Sequence, residues 1–187
     1  AAVAKANLAD GDLVNVEEVT VAGAFKFDFS DQSEALAITG DGAANEIFGG
    51  SNGDTIDGGA GRDFLTGGGG ADTFVYTTGD TSVVFGEYER INDFPTTVDK
   101  IDLNDDVVNR GVQIKDGAGL AFIADIYADA AAAFLTDGIY VAYNINDVGY
   151  AMMIAAEDNS GTVNAGDSLV LLMGVDLAGE IAVGDFI

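Results

Sequence analysis

Between Gly40 and Val75 the chain repeats itself every nine residues, and no other feature restricts its fold as tightly. Cut at Gly40, the segment reads GDGAANEIF (40–48), GGSNGDTID (49–57), GGAGRDFLT (58–66) and GGGGADTFV (67–75). The sixth place holds Asn45, Asp54, Asp63 and Asp72; the eighth holds Ile47, Ile56, Leu65 and Phe74. A fixed short period of this kind is the mark of a solenoid, in which each unit buries its apolar face only against its neighbours. Glycines at the first, second and fourth places let the backbone turn tightly, because φ > 0 costs them nothing. The last three places alternate as a short half-buried strand does. Two units therefore make one turn of a flattened coil with a strand on each face. The eighth-place residues stack inside it, and the acidic sixth-place residues lie in its turns.

That geometry creates an electrostatic problem. Successive coils lie ~4.8 Å apart, so residues eighteen apart, such as Asp54 and Asp72, become neighbours. Carboxylates so close repel unless something positive lies between them. The chain cannot supply it: seven Lys plus Arg face 32 Asp plus Glu, for a net charge of −25. Calcium suits the place, being a hard cation that takes six to eight oxygens and accepts the backbone carbonyls that glycine turns expose. The alternative is an acidic glycine-rich loop without metal. The same charge excludes a nucleic-acid binder working through phosphate neutralisation, and it opposes docking on anionic lipid.

The absent residue types narrow the chemistry further. Without His or Cys, histidine-based triads, thiolate nucleophiles, zinc ribbons and disulfide staples are excluded. An extracellular chain of this kind would need another stabiliser, such as metal. The apolar fraction of 48% is too high for a chain that stays disordered under all conditions. No apolar run is long enough to span a membrane. The first residues lack Met and a signal-peptide core, so the chain is expected to be a segment of a longer protein or a processed product.

The nonapeptide resembles the RTX repeat, G-G-x-G-x-D-x-U-x, a calcium-binding β-roll motif. Downstream, GGGGADTFVY (67–76), RINDF (90–94) and DKIDL (99–103) resemble the region following the repeats in serralysin-type metalloproteases and other type I-secreted proteins. The resemblance covers 40–103 well and 104–187 in general texture. It implies calcium held by carbonyls at places two and four and the Asp at six, against carbonyls at places one and three and the Asp of the next coil. Carried over, a first site uses Gly50, Asn52 and Asp54 against Gly67, Gly69 and Asp72. A second uses Asp41, Ala43 and Asn45 against Gly58, Ala60 and Asp63, with Asn45 keeping an oxygen ligand but losing a charge. A third would start from Gly59, Gly61 and Asp63; its partner position is Thr81, with Asp80 as the substitute. Asp93 or Asp99 would complete a site beyond Asp72, or else be solvated loop acids.

Upstream, steps of nine lead from Ile47 to Ile38 and Phe29, with Leu36 and Phe27 at the sixth places. A metal-free extension of the solenoid is expected there, with VNVEEVTVAG (14–23) giving an earlier strand; a capping hairpin is the alternative. After the repeats, 101–108, 112–116, 138–145, 148–158 and 168–176 read as strands. Residues 120–138 read as one amphipathic helix closed by Asp137-Gly138. The turn 157–167 is acidic but lacks the EF-hand spacing, and Tyr140, Tyr143 and Tyr150 read as core or sheet aromatics. The last residues, GDFI (184–187), resemble the uncleaved export signal of type I-secreted proteins.

These readings converge on a mainly β chain. Residues 1–39 form metal-free solenoid strands, 40–103 a calcium-loaded parallel β-roll, and 104–187 a β-rich cap with one helix and an export signal. The expected function is a calcium-binding module that drives extracellular folding and type I export of a larger secreted or cell-surface bacterial protein. Its partners are calcium and the type I machinery, with no catalysis from this segment. The alternative is a structural subunit of a calcium-dependent surface layer or filament, self-associating through neighbouring copies.

Overall fold

The computed structural model describes residues 6–7, 18–77, 80, 88–95, 98–103, 112–116, 138–143, 150–156, 168–173 and 185–187. Short strands follow one another along the chain: β1 (Ala6–Asn7), β2 (Glu18–Thr20), β3 (Lys26–Asp28), β4 (Ala37–Thr39), β5 (Glu46–Phe48), β6 (Thr55–Asp57), β7 (Phe64–Thr66), β8 (Thr73–Val75), β9 (Glu89–Ile91) and β10 (Lys100–Asp102). Odd strands pair in parallel in one sheet, β1-β3-β5-β7-β9, and even strands in the other, β10-β8-β6-β4-β2. Successive strands thus alternate between two faces, as the nine-residue period requires.

The pairing register reproduces the eighteen-residue coil where the repeat is intact: Ile38 faces Ile56, Ile56 faces Phe74, and Ile47 faces Leu65. Three residues per strand suffice because each strand has to point one apolar side chain inward, the middle residue in most and the last, Ile91, in β9. Phe27, Ile47, Leu65, Ile91 and Leu172 stack on one side, and Ile38, Ile56, Phe74 and Ile101 on the other, all at most 2% exposed. Burying each such side chain contributes about 1.5–3 kcal/mol.

Outside the repeat the coils lengthen. Ile47 is paired with Phe27, not with a residue eighteen before it. The sequence arithmetic that put Phe29 at an eighth place and Phe27 at a sixth is therefore corrected by two residues. The cause lies in the turn between β3 and β4, which has no glycine and closes instead through Gln32 N to Phe29 O at 2.8 Å. A turn confined to φ < 0 needs more residues to reverse the chain. Downstream, Leu65 faces Ile91 and Phe74 faces Ile101, so the coil after the last repeat is eight or nine residues longer.

The first sheet continues past the roll. β14 (Ser168–Met173) joins β9 in parallel, β13 (Tyr150–Ala156) and β12 (Gly138–Tyr143) follow antiparallel, and β11 (Val112–Asp116) closes the edge parallel to β12. These four strands lie where 112–116, 138–145, 148–158 and 168–176 were expected. Of the helix expected over 120–138, all but Gly138, which opens β12, lies outside the described residues, as does the turn 157–167. On the second sheet Phe186 bridges Ile101 in parallel, and Lys100 Nζ meets Asp185 Oδ1 at 2.9 Å. Both Asp185 and Phe186 are buried.

If the inward ladder carries the fold, Ile56→Ala should lower stability in calcium by about 2–5 kcal/mol. Thr55→Ala, on the exposed side of the same strand, should cost under about 1 kcal/mol. Urea unfolding of the two variants checks the difference.

Candidate metal centre

Each coil places one residue two positions ahead of the inward apolar residue of its strand, and these residues line up along the two edges of the roll. On the edge leading into the even strands they are Leu36, Asp54, Asp72 and Asp99; on the other, Phe25, Asn45, Asp63 and Glu89. Asn45, Asp54, Asp63, Asp72, Glu89 and Asp99 are all at most 1% exposed. This is an unusual fate for acids, which are rarely buried unless paired.

A regular set of bonds explains how the fold holds them. Along the first edge the amide of Leu36 donates to Asp54 Oδ1 at 2.8 Å, that of Asp54 to Asp72 Oδ1 at 2.8 Å, and that of Asp72 to Asp99 Oδ1 at 3.0 Å. Along the second edge the amide of Asn45 donates to Asp63 Oδ1 at 2.6 Å. Each carboxylate thus uses one oxygen to tie its turn to the preceding coil. The other oxygen varies. Asp54 Oδ2 accepts from Gly50 N at 2.6 Å, whereas Asp63 Oδ2 and Asp72 Oδ2 are buried without a hydrogen-bond partner.

Those free oxygens are the structural test of a cation in the turns. The residues expected for the first site are neighbours: Gly50, Asn52 and Asp54 lie one coil from Gly67, Gly69 and Asp72, with Gly69 N bonded to Gly50 O at 3.0 Å. Side chains are excluded from this space. A Cβ on Gly67 would collide with Asp72 Oδ2, and Gly68 and Gly70 have φ of +92° and +112°. In the second site Asp41, Ala43 and Asn45 lie beside Gly58, Ala60 and Asp63. Asn45 is turned outward along the edge, donating Nδ2 to Gly23 O at 2.9 Å and accepting from Asp41 N at 3.3 Å. An amide can satisfy that carbonyl; a carboxylate in its place would repel it.

The remaining candidates divide. Gly61 N meets the backbone carbonyl of Asp80 at 3.1 Å, beside Gly59 and Asp63, but the Asp80 carboxylate closes on Thr77 N and Oγ1, both at 2.6 Å. Asp93 binds Gly67 N and Gly68 N at 2.8 and 3.0 Å, and Asp99 continues the first edge. Glu89, which the period did not predict, occupies the place opposite Asp63. Its signal was an acid two residues before an apolar strand centre, as in Asp99-Lys100-Ile101, hidden by the longer coil. Among the described residues no three acidic side chains converge on one point. A calcium shell here would combine two carboxylates with turn carbonyls.

Burial dominates the electrostatics. It raises the carboxyls of Asp63 and Asp72 from 3.8 to about 6 and that of Asp99 to about 7, against the lowering effect of their backbone bonds. Asp54 and Asp93 are raised for the same reason. Asp41 is lowered by the amides of Gly23 and Ala43. A carboxyl raised on folding binds more protons folded than unfolded between its two pKa values, so metal-free stability falls as pH rises through that window. The thermal midpoint without calcium should therefore be higher at pH 5 than at pH 8, and the gain on adding calcium larger at pH 8. A metal-free midpoint that rises from pH 5 to pH 8 would contradict this.

Two parallel sheets sharing one inward apolar ladder, with buried acids in glycine turns, define a β-roll. Residues 34–183 match the family described as Peptidase M10 serralysin C terminal, and the chain belongs to that family. It corresponds to the C-terminal, non-catalytic region of serralysin-type proteins. Among solved structures it is similar to the solution structure of the AlgE6R2 subunit from the Azotobacter vinelandii mannuronan C5-epimerase. That match has a TM-score of 0.53 at 21% identity and covers 92% of both chains, which supports the fold. No curated protein matches the chain.

Proposed function

We infer that this chain is a calcium-loaded folding module of a larger secreted or cell-surface protein, exported by a type I pathway. The observation that carries this reading is the pair of buried, unpartnered oxygens on Asp63 and Asp72, each against a glycine, Gly58 or Gly67, where a Cβ would collide with it. Unpaired buried carboxylates are costly, and cations that bind only the folded state repay that cost as folding free energy. Where calcium is scarce, ionised turns oppose coiling and the chain stays export-competent; where it is abundant, the turns close. Membership of the serralysin C-terminal family supports an extracellular setting. The metal-free coils of 1–39 and the cap of 104–187, including the tail that docks on β10, are assigned to support and export. A lattice or filament role gains nothing from the cap, whose strands β11–β14 pair within the chain's own sheet.

Two measurements test the reading. Circular dichroism should show loss of β-structure in chelator and its cooperative return in millimolar calcium; identical spectra would overturn the proposal. Calorimetry should show that Asp72→Ala costs more calcium affinity than Asn45→Ala, because it removes a charged ligand from a site with two carboxylates. Equal losses would refute the ligand register.

A further inference from the structure

Inside the roll, where the third repeat meets the longer coil that follows the last one, four oxygen atoms lie buried without a hydrogen-bond partner: Asp63 Oδ2, both carboxylate oxygens of Glu89, and the Tyr76 hydroxyl. The three side chains are at most 1% exposed. They are neighbours: Glu89 interacts with Asp63 and with the Tyr76 hydroxyl, and it feels the charge of Asp80 as well. The topology brings them together. β9 pairs with β7 so that Glu89 stands opposite Asp63, while Tyr76 follows β8 on the facing sheet and reaches across the interior.

Among the described residues no cationic side chain is among the influences on this cluster. The strongest influences on Glu89 are burial, Asp63, Tyr76 and Asp80, all neutral or acidic. Arg90, its neighbour in sequence, turns the other way and lies over the Phe64 ring at 4.7 Å, where Arg62 also lies at 4.8 Å. Two carboxylates sealed together without a cation or hydrogen bonds would be strongly destabilising.

We propose that Asp63 and Glu89 hold a calcium ion of their own at the end of the second edge, with the Tyr76 hydroxyl donating to a Glu89 oxygen. This rests on the reading of the roll as a calcium module and extends it to a ligand outside the nonapeptide. Asp63 is held at Oδ1 by Asn45 N, which leaves Oδ2 buried and unpartnered in a side chain that interacts with Glu89. Glu89 is long enough to offer both oxygens to one ion, as carboxylates do for calcium. The turn carrying Gly59 and Gly61, held against Asp80 O, lies beside Asp63 to complete the shell with carbonyls. Tyr76 binds no metal in this scheme; it orients the carboxylate, as groups around metal ligands commonly do.

The full chain in excess calcium, counted by native mass spectrometry, tests the site. Glu89→Gln keeps the shape and removes the charge, and is expected to bind one ion fewer per chain. Glu89→Asp, which keeps the charge, is expected to recover that ion at weaker affinity. Should Glu89→Gln fail to fold in calcium while Glu89→Asp folds, the need for the charge is also established. An unchanged count in Glu89→Gln would overturn the proposal in favour of a proton shared between the two acids. Failure of both variants to fold would overturn it in favour of a packing role. Asp72→Asn separates this site from the repeats. Loss of an ion there but not in Glu89→Gln leaves the repeat reading standing alone. The reverse leaves only the Glu89 site.

Discussion

Like charges stacked at the rise of one coil govern this molecule. At about 5 Å and an effective dielectric constant of about 20, two unit charges repel by about 3 kcal/mol. Asp54, Asp72 and Asp99 make two such contacts on one edge, which together rival a substantial part of the 5–15 kcal/mol that holds a typical domain folded. The described basic side chains are engaged elsewhere. Lys26 pairs with Asp28 and covers Phe48, Arg62 and Arg90 cover Phe64, and Lys100, whose field reaches Asp99, pairs with Asp185. On the proposed reading the roll is therefore conditional, with protons or cations in the turns offsetting the repulsion that opposes its apolar ladder.

The parts legible in the sequence are those where a strict period reflects a strict geometry. Between Ile38 and Phe74 every inward residue and every turn acid lies where nine-residue steps put it, because glycine turns leave room for no other count. Legibility ends where glycine does. The turn between β3 and β4 takes two more residues, which displaced Phe27 and Phe29 from their expected roles. The coil after Val75 is longer still, which hid Glu89 and left Asp99 open to a reading as a solvated acid, although it is 1% exposed. Strand positions in the cap followed from apolar runs. Their order did not, since nothing local specifies that β14 rather than β11 should meet β9.

The cap also answers a hazard of solenoids. A stack of strands ends in unpaired backbone groups that invite another chain. At the end of the roll β14 covers β9 on one sheet, and the Phe186 bridge covers β10 on the other, with Ile187 N bonded to Ile101 O at 2.9 Å. The two sheets are closed by different means because only the first continues into antiparallel strands.

The carboxylate ladder has a direction. In each of its bonds the acid comes from the later coil and the amide from the earlier one: Asp54 serves Leu36, Asp72 serves Asp54, Asp99 serves Asp72, and Asp63 serves Asn45. Peeling a coil from the front exposes a carboxylate, which water solvates readily. Peeling one from the back takes the acceptor from an amide in the coil that remains, and water must replace it. The two ends of the roll are therefore chemically unlike: opened at its first coil the stack shows an anion, opened at its last coil a row of amide donors.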